Sequence, residues 1–74
     1  MISPNELADS ILRVRADMPG SMQRDGWKIK IRLLPHHQDS LDALQVPDAT
    51  LTMPPASLRH HLAQAAHLTA AAQA

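Results

Sequence analysis

Five histidines in 74 residues are the first hint of chemistry, because a neutral imidazole can ligate a metal or carry a proton near neutral pH. They fall as His36-His37, His60-His61 and His67. Adjacent residues on a helix diverge by about 100°, and His60 stands two turns from His67, so neither spacing puts two rings on one ion. A site would need the first pair folded onto the second with an aspartate nearby, and no His-x3-His spacing announces one. His61 lies between Ala65 and Leu68 in the apolar arc of a helical wheel, where a histidine satisfied by a backbone carbonyl at the core margin is the plainer expectation. No metal and no cofactor is expected.

Ser10, Ser21, Ser40 and Ser57 could each be matched with a histidine and an aspartate, yet none sits in a Gly-x-Ser-x-Gly elbow. Gly20 and Gly26 are isolated turn glycines and form no phosphate-cradling loop. With no cysteine, disulfides and thiolate metal sites are excluded. The residues point to a non-enzymatic protein that works by binding.

Binding requires a face, and the strongest candidate runs from Trp27 to Leu34, where apolar and basic residues alternate until Pro35. Read as a strand, it sends Trp27, Ile29, Ile31 and Leu33 inward and Lys28, Lys30 and Arg32 outward, since successive side chains leave opposite faces. Arg24, Lys28, Lys30 and Arg32 are four of the seven basic residues and face one acid, Asp25. Lysines on a strand edge also serve merely to block edge-to-edge pairing, but this concentration favours recognition. The residues expected to meet a partner are Arg24, Trp27, Lys28, Lys30, Arg32 and Leu34. Arg15 joins them as a second possibility: it falls within the apolar arc of the first helix, where it either snorkels to the core edge or receives a partner carboxylate.

The chain as a whole is neutral, with seven basic and seven acidic residues, so nothing draws it globally to DNA or an anionic membrane. Trp27 is the only aromatic besides histidine, which leaves no stacking platform for single strands. An acidic patch on another protein therefore suits the basic face better than phosphates do, and weak, unspecific nucleic-acid binding is the alternative. A third reading is self-association through an exposed strand, although a monomer is expected for the free chain. No apolar run reaches the length of a membrane span and no secretory signal pattern opens the chain, which points to the cytoplasm.

The elements that must carry this face begin with a well-specified helix. Ser3 is placed as N-cap, Pro4 at the first helical position and Glu6 in a capping box, with Ile2 and Leu7 at the staple positions. Leu7, Ile11, Val14 and Met18 then recur at helical spacing until Pro19-Gly20. Residues 41 to 46 suggest one helical turn, though helix and strand remain open. Ala49 to Met53 alternates and could pair with the basic strand. From Pro55 the chain is helical, with Leu58, Leu62, Ala65 and Leu68 on one side and an alanine-rich tail expected to fray. The fold class expected is α+β: an N-terminal helix, a two-stranded antiparallel ribbon and a C-terminal helix, in one domain over residues 1–68 with a flexible tail at 69–74.

A capped helix at Ser3-Pro4-Asn5-Glu6, one strand at Trp27 to Leu34 and a loose alanine-rich tail together resemble small phage proteins that bind host RNA polymerase and redirect transcription. The likeness is one of size and layout over the whole chain. It implies a non-enzymatic inhibitor or antiterminator occupying a surface of the bacterial polymerase, with Trp27 or Leu34 as anchor.

Overall fold

The first helix, α1 (Pro4–Ala16), starts where the capping signal places it. Ser3 is extended, and its Oγ accepts a hydrogen bond from the Glu6 amide at 3.2 Å, satisfying one of the helix's free donors. Leu7, Ala8 and Ile11 are buried on one side. At the other end Gln23 folds back, and its amide donates to the carbonyls of Arg15 at 2.7 Å and Met18 at 2.8 Å. The Arg15 carbonyl also accepts from the Met18 N–H at 3.1 Å, so Gln23 reinforces the last turn of the helix.

The computed structural model describes residues 2–73, and among them it contains helices and turns but no strand. After α1 come a 3₁₀ turn (Gly20–Met22), α2 (Gly26–Lys30), α3 (Pro35–Ala43), a second 3₁₀ turn (Asp48–Thr52) and the long α4 (Pro55–Gln73). The expected α+β class and its ribbon are therefore overturned. Residues 27–34 are helical up to Lys30 and continue in tight turns, with Ile31 N–H bonded to the Trp27 carbonyl at 3.1 Å and Leu33 N–H to that of Lys30 at 3.0 Å. The proposed second strand closes locally too, through Thr50 N–H to the Pro47 carbonyl at 3.0 Å and Met53 N–H to that of Thr50 at 3.2 Å.

The physical reason is that a ribbon of two short strands leaves two edges unpaired, whereas helical turns satisfy each backbone group within a few residues. Period-two alternation also contains a helical pattern. Ile29 and Leu33, four apart, enter the core at 0% and 5% exposure, while Trp27 and Ile31, also four apart, emerge at 54% and 59%.

α1 packs chiefly along α4, and α2 lies against the 48–52 turn. The approach there is close enough that a Cβ at Gly26 would collide with the Asp48 carbonyl oxygen, so a side chain at this position would push the two elements apart. The shared core is Leu7, Ala8, Ile11, Met18, Ile29, Leu33, Leu41, Leu51, Leu58 and Leu62. Residues 41–46 complete α3 and its exit: Gln45 turns at φ 57°, Val46 N–H returns to the Leu41 carbonyl at 3.1 Å, and Gln45 N–H to that of Asp42 at 3.0 Å. The helical backbone of α4 extends to Gln73 with Ala70 to Gln73 exposed, where a frayed tail was expected; Ala74 lies outside the described residues.

Candidate partner-binding face

The segment from Trp27 to Leu34 exposes three of the four large apolar residues that stand out from the surface, Trp27, Ile31 and Leu34, the fourth being Leu68 on α4. Trp27 lies in α2, Ile31 caps it and Leu34 opens α3, so the three are spread over a helix and the turn that follows it rather than along one helical face. Leu34 is the N-cap of α3, with an extended backbone and a side chain 58% exposed.

The basic residues around this ridge differ in how freely they can act. Lys28 pairs with Asp25 at 2.8 Å and stands 5.6 Å above the Trp27 ring, a cation–π arrangement that fixes the indole's neighbour. Lys30 is paired with Asp42 on α3, and its pKa is raised chiefly by that hydrogen bond, against desolvation, with smaller help from the charges of Asp42 and Asp48. Lys30 therefore ties α2 to α3 rather than facing outward alone. Arg32 reaches back to the Lys28 carbonyl at 3.3 Å and is otherwise open, and Arg24 is exposed.

Arg15 is placed elsewhere. Its Nη1 donates to the Met53 carbonyl at 2.7 Å, bridging α1 to the entrance of α4, and its Nε is buried without a hydrogen-bond partner. The strand reading thus grouped residues that the helix separates: Trp27, Lys28, Leu34 and Arg32 share the exposed segment, while Lys30 and Arg15 are engaged in holding elements together. The strand also assigned Trp27 and Ile31 to the interior, and both are outside.

Beside this ridge, Ser10, Arg13, Val14 and Asp17 of α1 face Arg32, Leu33, Leu34 and His37 across an open cleft of about 210 Å³. Sequence reasoning did not single out Arg13 or this cleft. A signal was present in Arg13 and Asp17 standing four apart on one helix face. His37, the second residue of a supposed polar loop, is 8% exposed, and its pKa is lowered by burial first, then by His36 and Arg13, against the opposing charge of Glu6. That shift favours the neutral form of the imidazole on this wall.

Ser10, Asp17 and His37 share the cleft, yet no hydrogen bond joins any two of them among the described residues. His61 is exposed, and its Nδ1 lies 2.7 Å from the Ser57 carbonyl, to which it donates. Among the described residues no three His, Cys, Asp or Glu side chains lie close enough to share a metal ion, and no helix is long and apolar enough to cross a membrane. No protein-family model matches the chain, and searches of curated proteins and of solved structures also find no match.

Proposed function

We propose that the chain is a non-enzymatic protein-binding regulator that presents the ridge of Trp27, Ile31 and Leu34, rimmed by Arg24, Lys28 and Arg32, to an acidic partner surface. The observation that carries this reading is the exposure of Trp27, Ile31 and Leu34 along one short segment whose Ile29 and Leu33 are already buried in the core. An aromatic anchor surrounded by cations has the composition of an interface centre, where tryptophan and arginine are enriched. The rim charges would speed encounter with an acidic surface, and the apolar ridge would hold the complex.

Bacterial RNA polymerase, the partner implied by the resemblance to small phage regulators, is the first to try. Of the features behind that resemblance, the capped first helix is present, the strand is not, and the alanine-rich tail is helical to Gln73. Nucleic acid is less favoured because Lys28 and Lys30 are already paired with Asp25 and Asp42, leaving few cations for phosphate contacts.

Titration calorimetry with purified bacterial polymerase tests both levels of the proposal. Saturable binding that weakens by about tenfold or more in Trp27→Ala is expected. Absence of binding removes the polymerase as partner, and undiminished affinity in a folded Trp27→Ala variant removes the ridge. A steep fall of affinity with salt, scaling with phosphates neutralised, is what nucleic acid in the preparation would give instead.

A further inference from the structure

We infer that the cleft between α1 and the turn joining α2 to α3 is a carboxylate site, which takes an aspartate or glutamate side chain of the partner segment lying along the Trp27 ridge. This rests on the docking reading above and names the chemistry of the partner. The docked segment is an acidic amphipathic helix: its apolar stripe covers Trp27, Ile31 and Leu34, and one carboxylate past the end of that stripe enters the cleft.

Three observations converge on this site. Arg13 and Arg32 reach it from different elements, and neither is in an ion pair among the described residues. Guanidinium groups bind carboxylates in forked, charge-assisted geometry, and two that approach from opposite walls enclose an anion better than one. Ser10 adds a hydroxyl donor, and the neutral His37 ring has one N–H to offer.

The second observation is charge balance. With His37 neutral, the two arginines and Asp17 leave the lining with one net positive charge, which matches a single carboxylate. One carboxylate neutralises that surplus, whereas a phosphate dianion leaves the site with one net negative charge and has more hydration to lose. The third is shape. Val14, Leu33 and Leu34 supply apolar walls suited to the methylene stem of an acidic side chain, and Leu34 also belongs to the ridge, so cleft and ridge form one continuous surface.

The probe is N-acetylglutamate α-amide, which carries one side-chain carboxylate, with N-acetylglutamine amide and inorganic phosphate as comparison ligands. NMR of the arginine Nε–H groups in the whole chain reads the site directly. Saturable shifts of the Arg13 and Arg32 signals in the millimolar range are expected with the glutamate compound, and none with the glutamine compound. Arg13→Gln should weaken the response about tenfold, as removal of one charge-assisted partner does, whereas Leu68→Ala, exposed on α4 and outside the cleft lining, should leave it unchanged.

Equal responses to the glutamate and glutamine compounds, or shifts that grow without saturating, would overturn the carboxylate site. Tighter saturation by phosphate would make it a phosphate site and equally overturn the assignment. Because these ligands are too small to cover the ridge, the result stands apart from the Trp27→Ala experiment with the polymerase: either can fail while the other succeeds.

Discussion

α1 and the segment from Gly26 to Leu34 are both amphipathic, but they dispose of their apolar residues in opposite ways. In α1 the large apolar side chains converge on one side, and Leu7, Ala8 and Ile11 are sealed against α4. In the second segment the apolar residues divide, with Ile29 and Leu33 inside and Trp27, Ile31 and Leu34 outside. A helix that needs only to be held in place requires one apolar stripe. The second stripe on the shorter segment contributes nothing to the core and is free to bind something else.

The largest effect that could break this comparison comes from the paired substitutions Ile29→Ala and Ile31→Ala. The helix predicts a loss of about 2–5 kcal/mol at Ile29, which is fully buried, and a change within about 0.5 kcal/mol at Ile31, as read from urea unfolding. A ribbon with both residues inward would make the two losses similar.

The smallest expected effect sharpens the comparison at the cleft wall, where His37 packs beside the two segments. Burial lowers its folded pKa below the usual histidine value, with His36 and Arg13 adding to the shift and Glu6 opposing it. Between the lowered folded value and the unfolded value near 6.5, the unfolded chain binds the extra proton, so stability falls as pH falls through that window. Urea midpoints taken at about pH 7.5 and about pH 5 should therefore drop on the acid side, and His37→Gln should flatten the drop. A midpoint difference unaffected by that substitution would show that the proton is taken up elsewhere.

How much could be read from the sequence follows from the same contrast. The start of α1 was legible because a capping residue, a proline and a glutamate each act within a few residues, and local hydrogen bonds decide the outcome. α4 was legible through its lack of breakers after Pro55. The segment from Trp27 to Leu34 was not, because alternation every two residues and two interleaved stripes every four are the same string of letters. Its conformation is settled by distant contacts such as that of Gly26 with Asp48, which no local window contains. Lys28 and Arg32 were singled out because charge is visible in either conformation, whereas Trp27 was named as an anchor although the strand reading turned it inward. The cleft was invisible because Arg13 and Arg32 meet only after the chain has turned at 17–25.

Trp27 is the chain's single tryptophan and the chain has no tyrosine or phenylalanine, so its fluorescence reports the central claim without interference. With the indole more than half exposed on the outer side of α2, emission should lie close to that of free tryptophan in water, and iodide, drawn by the neighbouring cations, should quench it readily in the folded protein. A blue-shifted emission that iodide cannot reach until the chain is unfolded would put Trp27 in the core and contradict the account.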